Sequence, residues 1–332
     1  MADQVPTHWQ ILELLKHEEP DHISGPRIAS KLNISRTAVW KHIQKLRSLD
    51  YDISSHPKAG YRLLASPDSL IPEEIASRLQ TAFLGKTYFH YEQTGSTNDQ
   101  ALRLAAQGAP HGTVVVAEEQ TRGRGRLGRP WISTARKGVM FSLLLREPLR
   151  TGQAPQMGLT AALSVVKVLR DGYNLPASIK WPNDVLIRSH KVAGILTEMQ
   201  SDQDLIRFLV IGIGINVNHE RSDLAGPLRY PATSLALELG GRQRRQDLLL
   251  ALLHQLERDH DRIIAEDFKA LLPEIEDASG LLRKSITVQC GREEFSGTVL
   301  GLTPDGALRL LTTAGKEEII WAGDVTQVEG IS

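Results

Sequence analysis

The sequence of 332 residues predicts an α+β protein of three domains, because the chain is longer than one typical domain. Three observations support this fold class. Helical patterns and two short strands open the chain, strands and helices alternate through its middle, and short strands separated by glycine turns close it. We therefore expect a winged helix-turn-helix at residues 1–66, a central α+β domain with a mixed, mostly antiparallel sheet at residues 67–276, and a C-terminal SH3-like β-barrel at residues 277–332.

The N-terminal segment has the pattern of a helix-turn-helix. Residues 8–17 are amphipathic, Pro26 marks the start of a second helix, and Ser35 is a typical N-cap for a third. Residues 51–64 indicate two strands around a Pro-Lys-Ala-Gly turn, as in a wing. Such folds insert the N-terminal end of their recognition helix into the major groove of DNA. We predict DNA contacts from the third helix and its cap, at Ser35, Arg36, Thr37, Trp40, Lys41 and Lys45.

The formal net charge of zero hides two basic zones. From His22 to Leu49 the chain carries six Lys or Arg and no acidic residue, and from Gln120 to Arg146 it again carries only basic charge. Two separate basic zones suggest two different anionic partners. For the first zone, a small helical bundle with a solvated basic face is the alternative. The cap, the turn and the wing together favour DNA binding.

Composition excludes several classes of protein. The single cysteine, Cys290, excludes an intramolecular disulfide and a cysteine-rich zinc site, and its strand-like surroundings favour a place in the core. The eleven histidines do not fall at HExxH spacing. No apolar run is long enough to span a bilayer. We therefore expect no membrane partner and a cytoplasmic location.

The central segment alternates strand-like and helical runs. Residues 86–93, 112–120, 138–147 and 177–187 have strand character, and residues 191–200 and 207–218 indicate a pair of neighbouring strands. Residues 96–108 and 154–173 have helical patterns, the first ending at Gly108. Strands close in sequence favour antiparallel pairing, which is why a mostly antiparallel sheet is expected.

The second basic zone contains "EEQTRGRGRLGRPW", residues 118–131, which is too rich in glycine for a regular helix or strand. We expect a loop whose arginines and backbone N–H groups hold phosphate. Standard nucleotide motifs are absent, since "LGKT" at residues 84–87 has Gln80 where a P-loop needs its first glycine. An RGG-like nucleic-acid segment is the alternative, but such segments repeat in disordered tails, whereas this one occurs once between two strands.

Five motifs in this order, "STN", "EEQTRGRGRLGRPW", "KWPNDV", "KVAGIL" and "GIGINVN", resemble those of the biotin protein ligases. With the helix-turn-helix in front, the chain resembles the bifunctional form that combines a biotin ligase with a biotin operon repressor. The similarity covers essentially the whole length, and residues 67–276 would be the catalytic domain. One departure is Leu127, where some members carry another basic residue.

The resemblance implies an enzyme that uses ATP, biotin and Mg²⁺ to form biotinyl-5′-AMP. Biotin then passes to a lysine of a biotin carboxyl carrier protein of acetyl-CoA carboxylase. The resemblance also implies operator DNA as a partner, biotinyl-AMP as corepressor and a homodimer in the adenylate-bound state. A lipoate ligase of the same fold and a non-catalytic ligand-sensing transcription factor remain alternatives. The small polar "STN" and the DNA-binding domain favour biotin over lipoate.

The resemblance assigns catalytic roles to Arg124, Arg126 and Lys191, since preorganised cations offset charge that develops on phosphorus. Biotin or adenylate contacts are implied for Ser96, Thr97, Asn98, Gln120, Arg124, Gly125, Arg126, Trp131, Asn183, Asp184, Lys191, Gly194, Gly212 and Asn216. Asp184 is also the candidate metal ligand.

Local sequence leaves simpler roles open for several of these positions. Ser96, Thr97 and Asn98 could serve merely to cap a helix, and Lys191 could be a solvated edge residue. "WPND" could be only a turn, and Gly212 could merely permit close packing of strands.

Overall fold

The computed structural model describes residues 5–18, 20–225 and 231–328. The chain divides into two compact units, Met1–Ser69 and Leu70–Ser332. The first unit holds the expected N-terminal domain. The second holds both the central domain and the C-terminal strands, so the domain limits at residues 66 and 277 stay predictions.

The first unit is a winged helix-turn-helix, as predicted. It consists of α1 (Thr7–His17), α2 (Gly25–Leu32), α3 (Arg36–Arg47) and the antiparallel strands β1 (Asp52–His56) and β2 (Gly60–Ala65). Ser35 caps α3, because its hydroxyl accepts a hydrogen bond from the N–H of Ala38 at 3.1 Å. Asn33 ends α2 in the left-handed conformation. The apolar stripes of the three helices form one buried core with side chains of both strands.

The second unit begins with elements that build a central sheet and its covering helices. They are α4 (Pro72–Ile75), β3 (Tyr88–Tyr91), α5 (Thr97–Ala106), β4 (Thr113–Ala117), β5 (Gly138–Leu145), α6 (Ala154–Lys167), β6 (Ala177–Lys180), β7 (Asp184–Ile187), β8 (His190–Asp202), β9 (Leu205–Asn216), α7 (Leu235–Leu239), α8 (Arg245–Glu266) and α9 (Leu272–Asp277).

The seven-stranded sheet has the order β3-β4-β5-β9-β8-β7-β6. Among its described strand pairs β3–β4 alone is parallel, which confirms the prediction of a mixed, mostly antiparallel sheet. Side chains alternate between the two faces of a strand. Val114 and Val116 therefore join the core beneath α6 and α8, while Val115 joins a smaller core beneath α5.

One predicted strand is two strands. Residues 177–187 form the hairpin β6–β7, and a cis Trp181–Pro182 peptide lies in the turn between them. Proline has no N–H for a strand ladder, so the apolar run breaks at Pro182. The turn is held in place by Asn183, whose side-chain amide donates to the Ile195 carbonyl of β8 at 2.9 Å.

The C-terminal strands form a five-stranded antiparallel sheet in the place of the predicted barrel. They are β10 (Ser285–Cys290), β11 (Glu293–Leu302), β12 (Leu308–Thr312), β13 (Glu317–Ile320) and β14 (Asp324–Val328), in the order β13-β12-β11-β10-β14. Their buried side chains belong to the same apolar core as α6, α8 and the central sheet. Throughout the described ranges, no helix is both long enough and apolar enough to cross a bilayer.

Candidate functional site

A cavity of about 400 Å³ opens where β8 and β9 meet the glycine-rich loop. All fourteen residues predicted to bind biotin or the adenylate line it. Leu127, Arg129 and Asp324 also belong to the lining. The central sheet therefore brings together motifs that are dispersed over more than a hundred residues of sequence.

Glycines of β8 and β9 make room for side chains on the cavity floor. A Cβ at Gly212 would lie 2.1 Å from Asn98 Oδ1, and a Cβ at Gly214 would lie 2.7 Å from the Trp131 ring. At Gly194 the nearest atom is also of Trp131, at 3.1 Å. The alternative that Gly212 only permits close strand packing is therefore wrong. Glycine is required there because a polar side chain of the site lies against its backbone.

Short polar side chains form one end of the cavity. Ser96 occupies the N-cap position of α5 without a capping hydrogen bond from its side chain. Gln120 caps the helix instead, because its Oε1 accepts from the Thr97 N–H at 2.7 Å and the Thr97 hydroxyl at 3.1 Å. The buried Ser142 hydroxyl donates to Asn98 Oδ1 at 2.6 Å. Ser96 thus holds the expected N-cap position and lines the cavity, but its side chain does not make the capping hydrogen bond.

Two carboxylates hold Arg124 beside these residues. Its Nη2 lies 2.6 Å from Asp99 Oδ1 and 2.9 Å from Glu198 Oε1. The hydrogen bonds with Asp99 and Glu198 raise the pKa of Arg124 above its usual value, against the opposing effect of burial. Glu198 Oε2 also accepts from the Asn98 amide at 2.6 Å. Glu198 therefore links the polar end of the cavity to its cationic end.

Lys191 points inward rather than into solvent. Its Nζ forms an ion pair with Asp184 Oδ1 at 2.6 Å, though without the angle of a hydrogen bond, and lies 5.6 Å from the centre of the Trp131 ring. The alternative of a solvated edge lysine is therefore wrong. Asn216 also lies here, but its amide donates to the Thr233 carbonyl at 3.1 Å, so this part of the side chain has a structural partner.

The glycine-rich loop contacts the C-terminal sheet. Arg126 Nη1 donates to the Gly323 carbonyl at 3.1 Å, and Arg129 forms an ion pair with Asp324. Burial lowers the pKa of Arg126, partly offset by the charges of Asp324 and Asp184. Leu127, between the two arginines, has a φ of 58° and is 77% exposed. The segment is a loop with one short 3₁₀ turn, as its glycine content predicts.

Three family models match the chain in the order of its domains. An HTH domain matches residues 8–62, the biotin/lipoate A/B protein ligase family matches residues 91–216, and a biotin protein ligase C terminal domain matches residues 284–326. The bifunctional ligase/repressor BirA of Bacillus subtilis (strain 168) is 36% identical over 309 residues, which are 93% of this chain and 95% of the relative. This chain belongs to the bifunctional biotin ligase/repressor family.

Other members and structures agree with this assignment. The BirA of Escherichia coli (strain K12) is 29% identical over 86% of this chain and 87% of its own. Among solved structures, the biotin protein ligase from Aquifex aeolicus in complex with biotin and ATP matches with a TM-score of 0.63 and 32% identity. The matched region covers 72% of this chain and 97% of the Aquifex aeolicus chain.

The other predicted surface of this ligase/repressor lies on α3. Arg36, Thr37, Lys41 and Lys45 are exposed there, and Trp40 is 54% exposed. Ser35 is occupied as the cap of the helix. The exposed residues lie on the helix face opposite the buried stripe, the face that a recognition helix needs for DNA.

Sequence reasoning missed four residues that organise the cavity: Asp99, Ser142, Glu198 and Asp324. Glu198 had a usable signal, because Gly194, Leu196 and Glu198 alternate along β8 and share one face. No local sequence signal marks Asp324, because its partner Arg129 is 195 residues away in the sequence.

Proposed function

We propose that this chain is a biotin protein ligase that consumes ATP to form biotinyl-5′-AMP and transfers biotin to a lysine of a biotin carboxyl carrier protein of acetyl-CoA carboxylase. It also binds operator DNA as a repressor of biotin biosynthesis, with biotinyl-AMP as corepressor. One observation carries the enzymatic part. A single cavity joins short hydrogen-bonding side chains at one end to Arg124, Arg126 and Lys191 at the other.

The polar end suits the ureido ring of biotin. Ser96, Thr97, Asn98 and Gln120 supply small donors and acceptors within one cavity wall. The Trp131 ring lies over the glycine floor and supplies an apolar surface for the aliphatic part of the ligand. Binding by hydrogen bonds to a polar ring also provides selectivity, because a ligand lacking that ring cannot form those hydrogen bonds.

The cationic end suits the activation step. An amine cannot displace hydroxide from a carboxylate, so the biotin carboxylate must first attack the α-phosphorus of ATP and release pyrophosphate. Bringing a carboxylate to a polyanion is unfavourable, and Lys191, Arg124 and Arg126 offset the charge that develops on phosphorus. The acceptor lysine then attacks the acyl carbon, loses a proton and releases AMP. No covalent bond to the enzyme is required.

The carboxylates around the cations affect how substrate enters. Asp99 and Glu198 hold Arg124, and Asp184 holds Lys191. Before substrate arrives, these carboxylates keep the guanidinium and ammonium groups oriented. A phosphate group that binds here then has to share the cations with the carboxylates or replace them. ATP would bind as its Mg²⁺ complex, and Asp184 would hold that ion, which would offset part of the charge on the phosphates.

The regulatory part rests on the winged helix. One winged helix contacts only a half-site, so tight operator binding requires a homodimer, which we place in the adenylate-bound state. Ligase reaction and repression both take place in the cytoplasm, where carrier protein and operator are available.

Pyrophosphate release from ATP tests the activity. We expect the full chain to release pyrophosphate when biotin is present, little when lipoate replaces biotin, and none when both acids are absent. Equal release with lipoate favours the lipoate ligase. Binding of biotin without any release favours the non-catalytic sensor. Mass spectrometry of the purified protein should find co-bound biotinyl-adenylate.

A further inference from the structure

We propose that His111, Glu147 and His260 form a site for a divalent transition metal of the zinc class, separate from the ligand cavity. One nitrogen or oxygen atom of each residue lies within 4.8 Å of the corresponding atoms of the other two. Two imidazoles and a carboxylate are a donor set that zinc accepts, with room for a water as fourth ligand.

The sheet topology builds the cluster. Strands β4 and β5 are antiparallel with Thr113 opposite Leu144, so the residues just before β4 and just after β5 are neighbours. His111 and Glu147 stand at these two places, and α8 brings the buried His260 over them. Gln120 and Gly138 lie at the opposite ends of the same strands, toward the ligand cavity. The two sites are therefore at opposite ends of the sheet.

The distances suit a small ion. His260 Nε2 lies 2.9 Å from Glu147 Oε1, and His111 Nδ1 lies 3.3 Å from Glu147 Oε2. Ligand atoms about 2.1 Å from a tetrahedral zinc ion are about 3.4 Å apart. The ring of Phe83 stacks on His111 at 4.6 Å and lies 5.1 Å from His260, which restricts both imidazoles.

Glu147 has a buried oxygen that the hydrogen bonds of the cluster leave without a partner. The backbone N–H of Arg146 donates to His111 Nδ1 at 3.1 Å, so this nitrogen carries a lone pair and no proton. Glu147 Oε2 lies 3.3 Å from the same nitrogen, is buried, and has no hydrogen-bond partner among the described residues. A cation bound between Glu147 and the two histidines gives Oε2 a partner.

Asp261 supports the orientation of the third ligand. Its Oδ1 lies 3.4 Å from His260 Nδ1, and the other ring nitrogen thereby turns toward Glu147. Carboxylates commonly orient metal-binding histidines in this way. The ion would link α8 to one end of the sheet. We therefore expect it to stabilise the fold and to leave adenylate formation unchanged.

The test is a cobalt and zinc titration of the full chain without an affinity tag, after treatment with a chelator. We expect one Co²⁺ per chain with visible d–d absorption, and its displacement by Zn²⁺. Zinc at a hundredfold excess over its Kd should raise the Tm of the second unit by about 5 °C. Glu147→Gln and His260→Gln should abolish both effects. His254→Gln, an exposed histidine of the same helix, is the matched control and should bind as the wild type does.

A third substitution serves as the control for correct folding. His111→Gln changes a partly exposed residue, and its circular dichroism should match the wild type while metal binding is lost. Biotin-dependent pyrophosphate release should be unchanged in this variant. The proposal is overturned if the wild type binds no ion at micromolar concentration, or if His111→Gln and His254→Gln bind equally.

Discussion

At the scale of single residues, the cations of the cavity are predicted to contribute most to the rate of adenylate formation. Lys191→Ala and Arg126→Ala should each slow biotin-dependent pyrophosphate release by two to three orders of magnitude, corresponding to about 3–4 kcal/mol, because one donor to developing charge is lost. Thermal unfolding should remain close to that of the wild type. Arg122→Ala is the matched control, since Arg122 belongs to the same loop, is exposed and lies outside the cavity lining. Rates near normal in the first two variants would remove them from the mechanism.

Glu198 should act as a positioning residue, since it holds both Asn98 and Arg124. Glu198→Gln keeps the size of the side chain but removes its charge. We expect the KM for biotin to rise about tenfold, because hydrogen bonds to charged groups contribute about 1.5 kcal/mol or more. Asp99→Asn is the comparison, since the more exposed Asp99 contacts Arg124 without Asn98, and its effect should be smaller. Equal effects on both would contradict the positioning role of Glu198.

Residue types at motif positions were predictable, but their partners were not. The polar and cationic residues of the cavity are recognisable because each motif is local in sequence. Asp324, and the His111, Glu147 and His260 cluster, depend on contacts between distant segments. Ser96 shows the other limit, since a capping position in the sequence does not reveal that Gln120 makes the capping bonds.

At the scale of elements, substitutions at two positions of α3 should affect the affinity for DNA and the sequence specificity separately. Lys45→Ala should weaken binding to all DNA and lower the salt dependence by about one ion, as expected for a phosphate contact. Arg36→Ala, near the start of the helix, should relax sequence preference instead. Fluorescence anisotropy with operator and random DNA at several salt concentrations measures both. Both variants should keep their ligase activity, and loss of biotin transfer in either would contradict the separation of the two functions.

The elements themselves were largely predictable. Ser35, Pro26 and the apolar stripes mark the helices of the first unit, because caps and periodicity act within a few residues. Residues 177–187 are predicted as one strand because their apolar residues satisfy a single strand equally well, and the hairpin agrees with the alternative that "WPND" is a turn.

At the scale of the whole molecule, a buried ion pair joins distant segments of the second unit. Arg245 of α8 lies 2.5 Å from Glu118, whose Oε1 also accepts from the Leu70 N–H at 2.9 Å. Burial alone would raise the pKa of Glu118, but His90, Arg245 and Leu70 lower it to about 2. A lowered carboxyl pKa stabilises the fold above its unfolded value, 4.5, and this contribution is lost as the pH falls toward about 2.

Urea unfolding between neutral and acidic pH measures this contribution. The wild type should lose about 3 kcal/mol as Glu118 becomes protonated. Glu118→Gln should be less stable by about 3–5 kcal/mol at neutral pH, because it removes the carboxylate charge beside the buried Arg245 guanidinium, and should show a flatter acid dependence. Glu119→Gln, the neighbouring residue, is the control. An unchanged acid dependence in Glu118→Gln would contradict the lowered pKa.

Repression requires that adenylate formation and self-association are coupled. If the glycine-rich loop orders over the adenylate and supports the dimer, biotinyl-AMP must tighten dimerisation, and dimerisation must equally tighten adenylate binding. A coupling of about 1–3 kcal/mol shifts assembly by roughly 5- to 150-fold. Sedimentation with and without biotin plus ATP measures the shift, and addition of carrier protein should reverse it. Unchanged self-association would leave a ligase whose DNA-binding domain is not regulated by its product.

The central claim is that one cavity binds biotin at its polar end and activates it at its cationic end. A crystal structure of the full chain grown with biotin and MgATP tests this claim most directly. We expect density for biotinyl-5′-AMP, with the ureido ring among Ser96, Asn98 and Gln120 and the phosphate between Arg126 and Lys191. Density for the ligand outside this cavity, or unreacted biotin and ATP bound with the ring at the cationic end, would contradict the account.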